Sequence, residues 1–152
     1  MGEAKGAMTD RIRGRRGDYA RFVQLTTRWA DNDAYGHVNN VAYYAFIDTA
    51  VNQLLIEEGL LDVAGSEVIG LAAESGCRFH ASAAYPDVIH AGVRVGRLGS
   101  SSIRYEVGLF RNDEHQATAE GFFVHVMVTR ATMRPVGIPG PLRLFLEGLM
   151  KA

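Results

Sequence analysis

A chain of 152 residues, 47% apolar and 22% charged, suffices for one globular domain and falls short of two. Sixteen Lys and Arg against seventeen Asp and Glu give a net charge of −1, so no global field draws the chain onto nucleic acid or anionic lipid. A single cysteine, Cys77, excludes an intrachain disulfide and a cysteine-rich zinc site. Residues 1–20 lack an apolar signal core, and no apolar run approaches the ~18 residues of a membrane span, so the expected location is the cytoplasm.

Residues 1–17 hold five cations (Lys5, Arg11, Arg13, Arg15, Arg16) against Glu3 and Asp10, a net +3 that leaves −4 for the remainder. With almost nothing to bury, this arm is expected to be a flexible basic tail, and 18–152 a single folded domain. From Ala20 to Trp29 apolar and polar residues alternate as in a strand. The strand runs into Ala30-Asp31-Asn32-Asp33-Ala34-Tyr35-Gly36-His37, where Asp, Asn and Gly favour a turn. Asn39 or Asn40 can cap a following helix, in which Tyr43, Tyr44, Ile47, Val51, Leu54 and Leu55 recur at helical spacing until Gly59. Segments 67–81, 87–97, 101–111 and 116–130 then have strand character, broken by Tyr85-Pro86-Asp87, Gly99-Ser100 and Asn112-Asp113. Hairpin-length connections predict that these four pair as an antiparallel meander, and 141–150 can form a short last helix.

The class predicted is therefore α+β, a long helix laid on a five-stranded antiparallel sheet. One helix cannot cover both faces of such a sheet, and Phe122 to Val128 is apolar on both sides, so a homodimer or homotetramer is expected.

The chemistry concentrates in Arg28 to Tyr44. Two carboxylates (Asp31, Asp33), an imidazole (His37) and two carboxamides (Asn39, Asn40) precede a helix N-terminus, whose unpaired amides and dipole favour negative charge. Such a stretch can bind an oxyanion beside a base, or simply form an Asx-rich turn with an N-cap. Asp31, at the end of the strand, is better placed to cap the turn. Asp48 borders the apolar stripe of the helix, so its carboxylate stands either at a subunit seam or on an acyl pocket. Neither the carboxylate pair nor His80, His90, His115 and His125 has metal-ligand spacing, and no metal is expected.

The run Asp-x-Asp-x-x-Gly-His-Val-Asn-Asn-x-x-Tyr, from Asp31 to Tyr43, resembles hotdog-fold acyl-CoA thioesterases of the 4-hydroxybenzoyl-CoA thioesterase-like group. The likeness continues through Glu74 to Phe79, Gly96 to Ser102 and Thr129 to Pro139, covering about 20–140. It implies a hotdog fold, with a long central helix wrapped by a curved sheet, and hydrolysis of an acyl-CoA thioester at a site shared by two subunits. By the same resemblance Asp33 is the catalytic carboxylate, acting as nucleophile or as general base, and the Asn40 amide polarises the thioester carbonyl. His37 and Asn39 either orient Asp33 and the attacking water or hold the loop. Asp48 matches a carboxylate that contacts an aryl hydroxyl in the hydroxybenzoyl-CoA enzymes, and Tyr43 closes the motif on the substrate side. Arg97 and the following turn with Ser101 are the expected contacts for coenzyme A, which is part of the substrate; no separate cofactor is implied. Two other functions fit the same fold, a thioesterase acting on acyl carrier protein and a non-catalytic acyl-CoA-binding module. The intact motif argues against the second.

Overall fold

The computed structural model describes residues 12–151. Five strands, β1 (Arg21–Thr26), β2 (Val68–Phe79), β3 (Val88–Leu98), β4 (Ser102–Arg111) and β5 (Ala119–Thr129), form one antiparallel sheet in the order β1-β3-β4-β5-β2. Helix α1 (Asn40–Glu57) lies across one face, and α2 (Gly140–Glu147) closes the chain near β3. This is the expected hotdog architecture.

The strand order corrects one expectation. Only β3, β4 and β5 form a meander, whereas β2 pairs with β5 at the far edge and β1 pairs with β3. Residues 80–87 have hairpin length but turn away from β2: the His80 and Ala81 amides donate to the Thr118 carbonyl, and the Ala83 carbonyl accepts from Val38. The loop is thereby spent on anchoring the start of α1, and α1 carries the chain from one sheet edge to the other.

The Asn39 side chain caps α1 by accepting from the Val41 amide at 3.0 Å, and Gly59, at φ 72°, supplies the left-handed residue after its end. Tyr43, Phe46, Ile47, Ala50, Val51, Leu54 and Leu55 are buried against Ile89, Val93, Ile103, Tyr105 and Val107 of the sheet. Each large side chain of that set contributes about 1.5–3 kcal/mol of transfer free energy. Tyr44, expected in the stripe, is instead 37% exposed, on the same flank as the exposed Asp48. That flank is covered only toward the helix end, where Leu60 and Leu61 pack onto the core.

The opposite face is partly closed by the segment before β1. Tyr19 packs edge-to-face on Phe110, and its ring lies over Gly92 and Gly108, which face each other across β3 and β4. A Cβ at either glycine would stand 2.8 Å or 2.5 Å from the tyrosine. Arg13 donates to the Ala117 carbonyl, the Gly14 amide to Glu120, and Arg16 to the Glu114 and Asn112 carbonyls. Residues 12–17 of the expected flexible tail are thus tied to the sheet by hydrogen bonds; residues 1–11 lie outside the described residues. Farther along the same face Phe122, Val124 and Val126 of β5 are only half-buried.

Candidate active site

After β1 the chain makes a short 3-10 turn, Trp29–Asp31. The carboxylate of Asp31, 5% exposed, accepts from the Arg28 amide at 2.7 Å and from its guanidinium at 2.9 Å. The Asp31 carbonyl accepts from the Asn39 amide at 2.8 Å. Asp31 therefore closes the turn and fixes the approach to α1.

Asp33 sits at the apex of the next turn, half-buried. Its amide donates to the His37 carbonyl at 2.8 Å and its carbonyl accepts from Gly36 at 3.1 Å. Gly36 adopts φ 79°, a conformation that side chains resist. Oδ1 of Asp33 accepts from the amides of Tyr35 at 2.9 Å and His37 at 3.4 Å, while Oδ2 has no hydrogen-bond partner among the described residues. Seven residues after Asp33, Asn40 is the first residue of α1, so its amide has no acceptor within the helix.

Asp33, His37 and Asn39 are thus held in the loop that leads into α1, which Asn40 begins. Within it His37 contributes its backbone to Asp33 and exposes its ring, and Asn39 is occupied as the helix cap. The surroundings are aromatic: Trp29, 77% exposed, stands edge-to-face against Tyr85, and Tyr35 is more exposed still. The Asn32 side chain joins this rim to the turn by accepting from the Tyr85 amide at 3.0 Å. Tyr43 lies beneath, buried between Phe46 and Phe79, and burial raises its hydroxyl pKa. In this chain it is a core residue supporting the loop.

The other predicted residues stand apart. Asp48 lies two turns into α1, exposed, with Asn52 donating to its Oδ1 and to its carbonyl, each at 2.9 Å. Both residues open on a cavity of about 780 Å³ between the second half of α1, the start of β2 and the floor made by β4 and β5. That floor carries Tyr105 and His125, which sequence reasoning did not select; a polar residue at an inward position of an apolar strand is the signal that could have found them. Arg97 is exposed near the end of β3, opposite Arg104, on the sheet face away from α1. Nine residues of strand separate it from Val88, about 30 Å, and Val88 begins where the Asp33 loop is anchored. Ser101 is half-buried in the same distant turn, its carbonyl accepting from Met127 at 2.7 Å.

Cys77 is half-buried, and burial pushes its thiol up to about 11, which leaves it protonated and a poor nucleophile at neutral pH. Among the described residues no His, Cys, Asp and Glu side chains converge as metal ligands, and no helix is long and apolar enough to cross a membrane.

Residues 27–146 match the model of the thioesterase-like superfamily. The crystal structure of the PA5185 protein from Pseudomonas aeruginosa strain PAO1 is 52% identical, with a TM-score of 0.90 over 93% of this chain and 99% of that one. The PA2801 protein of Pseudomonas aeruginosa is 26% identical, with a TM-score of 0.78 over 84% and 98% of the two chains. Slr0204, a 1,4-dihydroxy-2-naphthoyl-CoA thioesterase from Synechocystis, shares the fold at 15% identity and a TM-score of 0.75, over 82% and 93%. No curated protein matches the sequence.

Proposed function

The chain belongs to the thioesterase-like superfamily and is a thioester hydrolase, and we propose that it cleaves acyl-CoA thioesters with Asp33 as the catalytic carboxylate. The observation that carries this reading is the pose of Asp33: Oδ1 is aimed by two backbone amides, Oδ2 has no partner among the described residues, and the loop that holds it leads into the N-terminus of α1. A thioester carbonyl seated there accepts from the Asn40 amide, and a donor of this kind stabilises the tetrahedral oxyanion by about 3 kcal/mol. Oδ2 either attacks the carbonyl carbon, expelling the CoA thiolate and leaving an acyl-aspartyl anhydride that water then hydrolyses, or takes a proton from a water that attacks in its place, with the CoA thiolate again leaving; both routes consume one water and end in a free carboxylic acid and the CoA thiol. His37 and Asn39 act by holding the loop through backbone and cap.

The site is completed by a second copy. The 12 residues of β2 lie at a sheet edge, paired on one side only, and such an edge invites another strand. One chain also keeps Arg97 and Ser101 at the opposite end of β3 from the strand start where the Asp33 loop is anchored. In the dimer these residues bind the nucleotide end of a CoA whose acyl end lies at the partner's Asp33 loop, and Asp48 lines the acyl cavity.

The name of Slr0204 favours CoA over a carrier protein as the thiol, and a free-thiol assay over short, long, branched and aromatic acyl-CoAs tests it. Release of CoA from at least one of them is expected; turnover of acyl carrier protein thioesters alone would replace the substrate, and no release from either would return the chain to a binding role. Light scattering is expected to give at least a dimer, and an active monomer at micromolar concentration would overturn the shared site.

A further inference from the structure

The hydroxyl of Tyr105 is a buried oxygen with no hydrogen-bond partner, on a residue only 1% exposed. Its ring lies 5.3 Å from that of His125, itself 5% exposed, and Phe123 flanks the imidazole at 4.5 Å. Neither ring nitrogen of His125 has a hydrogen-bond partner among the described residues. Burial lowers the imidazole to about 4, so it is neutral at physiological pH and offers one donor and one acceptor. Room for the ring comes from Gly70 on β2, where a Cβ would stand 2.6 Å from Nδ1.

These groups share one wall of the cavity beneath α1, whose other walls include Leu55, Leu60, Met127 and Leu142. Phenylalanine at 105 would keep every apolar contact without desolvating an oxygen. The bonds that the hydroxyl gives up on leaving water are recovered only when something inside the cavity meets it. An anionic group finds no free cation there. His125 is neutral, Arg130 is committed to the carbonyls of Ser66 and Val63, and Asp48 and Glu57 line the cavity with negative charge. A neutral hydroxyl fits, since it can accept from one of the two floor groups and donate to the other.

We infer that Tyr105 and His125 are specificity residues for thioesters whose acyl group carries a neutral hydroxyl, which the two side chains bind at the floor of the acyl pocket. The inference rests on the thioesterase reading for its substrate but not for its binding site. Steady-state kinetics of the full chain compares decanoyl-CoA with its hydroxylated positional isomers. The expected result is that one isomer is favoured by about tenfold or more in kcat/KM, and that the ratio falls toward one in both Tyr105→Phe and His125→Phe. In parallel, calorimetric binding compares decanamide with the corresponding hydroxydecanamides, which carry no thioester. A hydroxyl preference in binding that Tyr105→Phe abolishes supports the pocket even if no acyl-CoA is cleaved, in which case the thioesterase reading alone fails. Cleavage of acyl-CoAs with no hydroxyl preference, or with the same preference in wild type and both variants, overturns the inference and leaves the thioesterase reading standing.

Discussion

Around Asp33, backbone amides find their acceptors between Arg28 and Val41: Asp33 donates to the His37 carbonyl, Gly36 to the Asp33 carbonyl, Val41 to the Asn39 side chain and Arg28 to the Asp31 carboxylate. Beneath α1 the situation is reversed, with Tyr105 and His125 buried in an apolar wall and their side chains without a hydrogen-bond partner among the described residues. The first region is a rigid frame that leaves one carboxylate oxygen free, as a reacting group requires. The second holds polar atoms that the described residues leave unpaired, the ground on which they are proposed as a recognition surface. In the reading proposed above, positioning for chemistry and discrimination among substrates fall to different elements, a loop that precedes a helix and the sheet that the helix covers.

The division is sharpest at Asp33. Replacing it by Asn keeps the shape and most of the loop's hydrogen bonding while removing the charge, so thiol release is expected to fall more than about 100-fold with the thermal midpoint little changed. Near wild-type turnover would remove Asp33 from the chemistry and make Asp31 the next residue to test.

The floor of the cavity is tested through pH. His125 titrates near 6.5 when unfolded and near 4 in the native state, so between those values the unfolded chain takes up a proton that the native chain refuses. Stability from this residue is complete above pH 6.5 and declines as pH falls toward 4, by about 3 kcal/mol in all. Urea unfolding at pH 7 and pH 4.5 should show this loss in the wild type and a smaller one in His125→Phe. Equal losses in both proteins would mean that the imidazole is hydrated in the native state.

The smallest effect expected is at Arg97. A phosphate contact is made equally in ground and transition states, so Arg97→Ala should raise KM for acyl-CoA by roughly five- to thirtyfold and leave kcat unchanged. Acyl-pantetheine, which has no nucleotide, is the control, and an equal loss on that substrate would make Arg97 structural.

The loop was legible in the sequence because its determinants are local. Asp, Asn and Gly within a few residues dictate a turn, and Asn39 before an apolar stripe dictates a cap. The cavity floor was not, since Gly70, Tyr105 and His125 meet only through the register of β2, β5 and β4. The same holds for strand order, because residues 80–87 have the length of a hairpin but are held by Thr118 and Val38. Tyr43 and Tyr44 stand side by side in the sequence, yet one is core and the other surface, a difference set by what covers each flank of α1.

Tyr19 and the facing pair Gly92 and Gly108 carry a consequence of their own. The two glycines leave a bare stretch of backbone across β3 and β4, and the tyrosine ring fills it. Enlarging either glycine alone forces the ring out, and removing the ring alone exposes the bare ladder to water. Enlarging Gly108 after the ring has been removed costs less than the two separate losses combined, because the displaced group is already gone, whereas a Cβ at Gly92 still meets the Phe22 ring at 2.9 Å. Tyr19 and Gly108 therefore form one epistatic pair, in which the tolerance of each site for a larger or smaller side chain is decided by the other, while Gly92 answers to Phe22 as well.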